Sequence, residues 1–285
     1  MAATPARLPL MMLAAGLAMA VPVIATMTVS TPAHAADCGE SSAGFEAWVE
    51  RVKKQAAGQG ISQAVLSSAF AGVSYDPTII RLDRNQRSFK LTFEQFYARR
   101  AGPGLQSRAR ALMRTHAATL ARVEQRFGVP PSVVVTIWGL ETNFGADTSG
   151  KFSIIRSLAT LAYDCRRSDF FRAHLLDALR IIQRGDKTLA ELRGGWAGEI
   201  GQTQFLPSGY VKYAVDFDGD GRRDLYRSVP DILASTANFL KGHGWRAGQP
   251  WGPGTANYAV LRDWNRAEVY YKTIAVMSQK LAGGG

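Results

Sequence analysis

The chain has 285 residues, of which 46% are hydrophobic, and a formal net charge of +11. This length and hydrophobic content allow one or two domains with a real core. The Lys and Arg residues are scattered rather than gathered in runs, which argues against nucleic acid as a partner. Beyond the first 35 residues no apolar stretch is long enough to span a bilayer, so stable membrane insertion is not expected.

The first 35 residues are typical of a secretory signal peptide. Arg7 is the only charge before Asp37, an apolar run from about Leu8 to Val29 follows it, and Ala33-His34-Ala35 matches an A-x-A cleavage signal. An uncleaved anchor is the alternative, because the basic region is thin. We expect a periplasmic protein, cleaved near Ala35. A basic exported protein suits an anionic extracytoplasmic polymer as its partner, and the bacterial cell wall is one.

Two cysteines, Cys38 and Cys165, follow this segment. In an oxidising compartment they can pair and tie the N-terminus of the mature chain to its middle. The sequence therefore predicts a disulfide, with two unrelated thiols as the alternative.

Apolar spacing predicts a mainly helical protein with long loops in its middle and no strong strand period. A helix after residue 44 breaks at Gly58 and Gly60, and residues 81–100 are a connector that ends in a helix near Tyr97. Residues 105–127 are predicted as one long helix that stops at Gly128. Further helices are predicted at 62–70, 157–163, 169–184, 209–215, 230–242 and 267–282.

Glu141 closes the apolar stretch Val133–Leu140, in a helix that begins near Pro130 and Pro131. Helical spacing gives Glu141 an apolar face, which includes Trp138. Burial on such a face disfavours the charged carboxylate and raises its pKa, and a carboxyl still protonated near neutral pH can act as a general acid. A core Glu bonded to backbone or to an arginine is the alternative.

Other catalytic arrangements lack support in the sequence. No Ser/His/Asp or Cys/His arrangement, zinc-spaced cluster or glycine-rich nucleotide loop is evident, and no organic cofactor is expected. A two-carboxylate glycosidase needs a second acid. Asp147, Asp164 and Glu199 are the nearest candidates, and no sequence signal sets any of them opposite Glu141. A single acid suffices if an N-acetyl group at C2 of the substrate supplies the nucleophile.

The segment Asp216–Asp224 matches an EF-hand calcium loop, with acids at positions 1, 3 and 5 and glycine at position 6. Position 7 contributes only a carbonyl, which Arg222 can supply. Position 12 departs from the pattern, because Arg227 replaces the bidentate Glu. Asp231 can close the shell of a longer loop. A polar loop without metal is the alternative, and the predicted structural Ca²⁺ ligands are Asp216, Asp218, Asp220, Arg222 and Asp231.

A third segment, Trp196–Ser208, combines glycines, amides and aromatic residues and is a candidate sugar-binding loop. Several motifs then agree in order and spacing with a known family: Gly-Val-Pro-Pro before the helix ending in Glu141-Thr142, Leu158–Tyr163, Arg166-Arg167, Gly201–Ser208, the Asp216 loop and Gly242–Trp245. On these motifs the chain resembles the membrane-bound lytic murein transglycosylase B family over residues 44–282.

This resemblance implies a lysozyme-like helical core with an added helical domain. The expected organisation is a signal peptide (1–35), an N-terminal helical region (36–128) and a catalytic core with an EF-hand-like loop and a C-terminal helix (129–285). Glu141 falls on the family's catalytic acid, and Asp231 falls on the distal calcium ligand across a one-residue insertion. The residues that fall on substrate-groove positions are Tyr97, Arg166, Arg167, Gln204, Phe205 and Asn257.

The implied reaction is cleavage of the β-1,4 bond between N-acetylmuramic acid and N-acetylglucosamine in peptidoglycan, which leaves a 1,6-anhydro end. Glu141 would act first as acid and then as base, with the N-acetyl group of the substrate assisting. A hydrolytic muramidase and a non-catalytic peptidoglycan-binding protein of the same fold are the alternatives.

Overall fold

Helices occupy most of the described part of the protein, whose computed structural model describes residues 38–86, 91–148 and 150–283. The predicted signal peptide, residues 1–35, lies outside the described residues. Thirteen helices are present in these ranges: α1 (Phe45–Gly58), α2 (Gln63–Phe70), α3 (Pro77–Arg84), α4 (Phe93–Arg100), α5 (Pro103–Thr115), α6 (Ala117–Phe127), α7 (Pro131–Thr142), α8 (Ile154–Tyr163), α9 (Ser168–Gln183), α10 (Pro207–Tyr213), α11 (Val229–Gly242), α12 (Ala256–Trp264) and α13 (Glu268–Ala282).

Most helix starts follow local capping chemistry. Thr92 and Gln95 form a reciprocal capping box at the start of α4, in which each side chain accepts from the other residue's backbone N–H. Proline occupies the first turn of several helices, where its missing N–H costs nothing. The side chains that cap other helix starts are Ser62, Asp76, Ser153, Ser228 and Thr255.

Helix α7 lies at the centre of the molecule, and nearly all of its residues are buried. Val133, Val134 and Val135 are consecutive and all buried, so the helix has no single solvent-facing side. Helices α5, α6, α11 and α13 pack around it. The prediction that Glu141 sits at the end of a buried apolar helix is therefore confirmed.

The structure corrects three details of the predicted helices. The expected long helix at 105–127 is two helices, because His116 leaves the helical conformation and its ring packs against Trp138, 6.1 Å between ring centroids. Helices α3 and α12 were not predicted. Both are short, and both place only a few residues in the core.

Two strands of two residues each, β1 (Phe152–Ser153) and β2 (Arg193–Gly194), pair antiparallel. This pairing fixes the start of the loop that runs from residue 195 to 206. The loop then closes on itself through an isolated bridge between Ile200 and Phe205.

Cys38 and Cys165 are joined in a disulfide. The bond attaches the segment before α1 to the turn between α8 and α9. A backbone hydrogen bond from Gly39 N to Tyr163 O, at 2.8 Å, supports the same contact.

The described residues belong to one compact unit. None of their helices has the length and apolar character needed to cross a lipid bilayer. At the predicted boundary near residue 128, α6 ends at Gly128 in a left-handed conformation, yet α6 packs against both α7 and α11.

Candidate active site

Glu141 lies in the last turn of α7, directly before a tight reversal of the chain. Asn143 and Phe144 adopt left-handed backbone conformations, with φ of 51° and 59°. The Phe144 ring occupies the space beside Gly139, where a β-carbon would lie 2.7 Å from it. Gly139 therefore permits the reversal that fixes the end of the helix carrying Glu141.

One oxygen of the Glu141 carboxyl is held and the other is open. Trp264 Nε1 donates to Oε1 at 2.8 Å, and the Tyr270 hydroxyl donates to the same oxygen at 2.7 Å. Within the described ranges, no donor reaches Oε2. Helices α12 and α13 thus orient the carboxyl and leave Oε2 available to a ligand.

Burial raises the pKa of Glu141 above the ordinary value for a glutamate, because the carboxylate loses hydration. The hydrogen bonds from Trp264 and Tyr270 and the charge of Arg100 oppose this rise, and the charge of Glu199 adds to it. The net direction is upward. Glu141 therefore keeps its proton to higher pH than an exposed glutamate, as a general acid must.

A cleft of about 520 Å³ opens onto Glu141. Phe205, Phe239 and Trp264 form an aromatic wall, with Trp264 edge-on to the other two at centroid distances of 5.5 and 4.9 Å. Polar groups complete the lining, and the combination of aromatic and polar surface suits sugar rings. These polar residues include Glu199, Thr203, Gln204, Asp263 and Asn265.

Gln202 connects the cleft loop to α7. Its Oε1 accepts from Trp138 Nε1 at 2.8 Å, and its carbonyl accepts from Thr142 Oγ1 at 2.5 Å. Its Nε2 donates to Tyr226 O at 2.7 Å, beyond the Asp216 loop. One side chain therefore links the helix of Glu141, the cleft loop and the segment leading to α11.

Two of the predicted groove residues, Gln204 and Phe205, line the cleft with Glu141. Gln204 has a left-handed backbone with φ of 53°, and its Nε2 donates to Gly201 O at 2.9 Å. The tight bend places the side chains of Gln204 and Phe205 at the cleft.

Arg166 and Arg167 lie at the turn between α8 and α9 and do not line this cleft. Both donate to the carboxylate of buried Asp83, and Arg166 Nη1 lies 2.7 Å from Asp83 Oδ2. Arg84 donates to the same acid and to Asp164. The arginine side chains remain 35–45% exposed, so part of each guanidinium faces solvent.

The structure corrects the assignment of Asn257 to the groove. Asn257 is 0% exposed, and its side chain bonds the backbone of Arg246 and Gln249. It braces the loop before α12 and has no surface for a substrate. Tyr97, also expected in the groove, lies outside the cleft lining, beneath the Lys280 ammonium at 4.8 Å.

Glu199 is the main residue of the site that the sequence pattern did not place beside Glu141. Of the three candidate second acids, Glu199 alone lines the cleft with Glu141. Asp164 is buried against Arg84, and Asp147 lies by another cavity beyond the end of α7. The sequence also did not identify Trp264 and Tyr270 as partners of Glu141, because both are more than a hundred residues from it along the chain.

Three carboxylates converge between α10 and α11. Oxygens of Asp216, Asp218 and Asp231 all lie within 4.8 Å of one another, and within the described ranges none of the three forms an ion pair with a cationic side chain. Hard carboxylate oxygens in this arrangement fit a calcium ion.

Two of the predicted calcium ligands fall outside this group. Asp220 is exposed, and its Oδ1 accepts from Arg222 N at 2.8 Å. The exposed Arg222 is placed by the same bond. Asp231, predicted to close the shell of a longer loop, takes part in the cluster.

Comparisons with known proteins agree with this architecture. Membrane-bound lytic murein transglycosylase B of Escherichia coli K12 is 42% identical over 130 residues, which cover 45% of this chain and 36% of that protein. The chain thus matches little more than a third of this relative's length.

Solved structures match over more of the chain. SltB3 from Pseudomonas aeruginosa, in complex with NAG-anhNAM-pentapeptide, superposes with a TM-score of 0.78 at 33% identity, covering 86% of this chain and 80% of that one. Escherichia coli lytic transglycosylase Slt35, in complex with calcium, superposes with a TM-score of 0.73 at 24% identity, covering 83% and 93%. The likeness to Slt35 shows a shared fold alone.

The predicted mainly helical, lysozyme-like fold is confirmed by these superpositions. A model of the transglycosylase SLT domain matches residues 44–256, which include Glu141, the cleft loop and the carboxylate cluster. The chain therefore belongs to the transglycosylase SLT domain family.

Proposed function

We propose that the protein is a lytic transglycosylase that cleaves the β-1,4 bond between N-acetylmuramic acid and N-acetylglucosamine in peptidoglycan. The observation that carries the proposal is the Glu141 carboxyl, with Oε1 bound by two donors and Oε2 open to the cleft. Family membership and the peptidoglycan fragments bound by SltB3 support the same substrate.

In the proposed reaction, protonated Glu141 donates to the glycosidic oxygen as the bond to C1 breaks. The acetamido oxygen of the same muramic sugar attacks C1 and forms an oxazolinium. Glu141, now a carboxylate, accepts the proton of the C6 hydroxyl as that oxygen attacks C1. The oxazolinium opens, and a 1,6-anhydro end forms without water.

Product mass tests this proposal. Purified sacculi are digested with the protein, and the soluble fragments are analysed by mass spectrometry. Anhydro ends, one water lighter than reducing ends, are expected. Reducing ends would indicate a hydrolytic muramidase, and binding without release would indicate a non-catalytic wall-binding protein.

We further propose a structural Ca²⁺ bound by Asp216, Asp218 and Asp231, with a backbone carbonyl of the loop, such as that of Arg222, completing the shell. The convergence of three carboxylates supports it, and the Slt35 structure with calcium is a precedent in a protein of the same fold. The ion would neutralise mutual repulsion and brace the junction of α10 and α11, away from the bond that is cleaved.

The predicted export signal completes the proposal. A wall-cleaving enzyme must reach the periplasm, so we expect residues 1–35 to be removed there and the disulfide to form there. We also propose that the N-terminal helical region (36–128) and the catalytic core (129–285) differ in function. N-terminal sequencing of protein recovered from the periplasm, with Ala36 expected as the first residue, tests the cleavage site.

A further inference from the structure

A second carboxylate shares the cleft with Glu141. Glu199 lies on the loop that follows β2, and it lines the same cleft as Glu141, Gln204 and Trp264. Its negative charge acts on Glu141 and contributes, after burial, to the raised pKa of that carboxyl. The two acids are therefore close enough to influence each other.

The loop makes specific room for this carboxylate. A β-carbon on Gly195 would lie 2.2 Å from Glu199 Oε2, so any larger residue would displace the carboxyl. Ala197 N donates to the same oxygen at 3.0 Å. Glu199 is thus fixed by Oε2, while within the described ranges no donor reaches Oε1.

The pKa of each of the two carboxyls is raised above the ordinary value for a glutamate, with burial as the largest cause. Burial raises the pKa of Glu199, but backbone hydrogen bonds and the charge of Arg167 oppose the rise. Burial also raises the pKa of Glu141, and the negative charge of Glu199 raises it further. Because two negative charges in one cleft repel, ionisation of one acid favours the protonated form of the other.

The cleft also holds a polar group without a partner. Thr203 Oγ1 is fully buried, lies among the lining residues, and has no hydrogen-bond partner in the described part of the chain. A buried hydroxyl left unpaired is costly, and its place in the cleft lining makes it a candidate contact for a polar group of the ligand.

We propose that Glu199 is a second catalytic residue, whose carboxylate accepts a hydrogen bond from the acetamido N–H at C2 of the sugar that is cleaved. This inference rests on the proposed function. When the acetamido oxygen attacks C1 and the glycosidic bond breaks, positive charge develops on the amide nitrogen. The carboxylate of Glu199 stabilises that charge without taking the proton. The charge disappears when the C6 oxygen displaces the acetamido oxygen from C1.

Two variants test the role by different routes. Glu199→Gln keeps an oxygen that can accept from Ala197 N but removes the charge. Gly195→Ala keeps the charge but forces the carboxyl to move, and its backbone conformation does not require glycine. Glu124→Gln is the control, because it removes one exposed carboxylate on α6, outside the cleft lining.

Turnover on soluble glycan strands and affinity for a thiazoline analogue of N-acetylglucosamine, which resembles the oxazolinium, are measured for all three. Glu199→Gln and Gly195→Ala should each lower kcat by about 10²-fold. They should weaken thiazoline binding by about tenfold or more, with smaller changes in KM. Glu124→Gln should leave kcat and thiazoline binding within about twofold of the wild-type values.

The pH profile gives a readout that a purely structural role would not move. Without the charge of Glu199 the pKa of Glu141 falls, so the alkaline limb of kcat/KM should shift to lower pH in Glu199→Gln. Arg100 and Arg167, the cations that act on the two acids, are unchanged in this variant.

If Glu199→Gln retains wild-type kcat and thiazoline affinity, Glu199 only braces its loop and the inference is overturned. Loss of thermal stability with unchanged thiazoline affinity would overturn it in the same way. A wild-type protein that releases no anhydro product would instead overturn the proposed function, which separates the two failures.

Discussion

The carboxyl of Glu141 offers the sharpest test at the scale of single residues. Glu141→Gln keeps an oxygen for Trp264 and Tyr270 to bind, but an amide cannot donate the proton that the leaving oxygen needs. We expect at least about 10²-fold lower release of soluble fragments from sacculi, with an unchanged circular dichroism spectrum. More than a tenth of wild-type activity would contradict the role of Glu141 as the group that donates the proton.

Tyr270 contributes, after burial and Trp264, to the pKa of Glu141. Its hydroxyl stabilises the carboxylate form and so opposes the rise in pKa that burial causes. Tyr270→Phe should raise the pKa of Glu141 further, and the alkaline limb of kcat/KM should move to higher pH. Tyr271→Phe, on the same helix but without a bond to Glu141, is the control and should leave the limb in place.

At the scale of elements, the disulfide joins the segment before α1 to the α8–α9 turn. Replacing both cysteines with serine should lower the free energy of unfolding by about 2–4 kcal/mol, because the bond restricts the unfolded chain. Reductant should lower the melting temperature of the wild type and leave the double variant unchanged. Two free thiols titrated in unreduced periplasmic protein would refute the pairing.

The carboxylate cluster between α10 and α11 predicts a calcium-dependent melting temperature. Calcium at a hundred times its dissociation constant should stabilise the fold by about 2.7 kcal/mol. Asp218→Asn should abolish the increase, because Asp218 belongs to the cluster. Asp220→Asn should retain it, because Asp220 lies outside the cluster. Equal melting temperatures in millimolar calcium and in chelator would show that the loop needs no metal.

At the scale of the whole molecule, Asp83 links α3 to the α8–α9 turn through Arg166 and Arg167. Burial alone would raise the pKa of Asp83. Hydrogen bonds from Arg167 and Arg166 outweigh burial and lower the pKa below 3.8, the ordinary value for an aspartate. The ionised Asp83 therefore contributes fully to stability above the pKa that it has in the unfolded chain. This contribution is lost as the pH falls through the lower pKa that Asp83 has in the folded protein.

Asp83→Asn should lower the free energy of unfolding by about 1–3 kcal/mol at pH 7, measured in urea. The difference from the wild type should shrink as the pH is lowered below 3.8. Glu50→Gln, which removes an exposed pair with Lys53, is the comparison and should cost less, about 0–1 kcal/mol. A difference independent of pH would contradict the ionic role of Asp83.

The sequence by itself determined the features that depend on neighbouring residues. Apolar spacing and capping residues predicted most of the helices, and the unbroken apolar run predicted that Glu141 ends a buried helix. The acidic loop could also be predicted, because Asp216 and Asp218 are only two residues apart in the sequence. The break at His116 was not, since no proline or glycine marks it.

Only the tertiary structure decided which groups surround Glu141. Trp264 and Tyr270 reach it across separations of 123 and 129 residues, which no local pattern encodes. Glu199 enters the cleft because the loop folds back and Gly195 leaves space for its carboxyl. Asn257 is removed from the groove by its bonds to a neighbouring loop. Local spacing selects the helices, whereas the packing of distant segments sets the distances and burial that give a carboxyl its pKa and its partners.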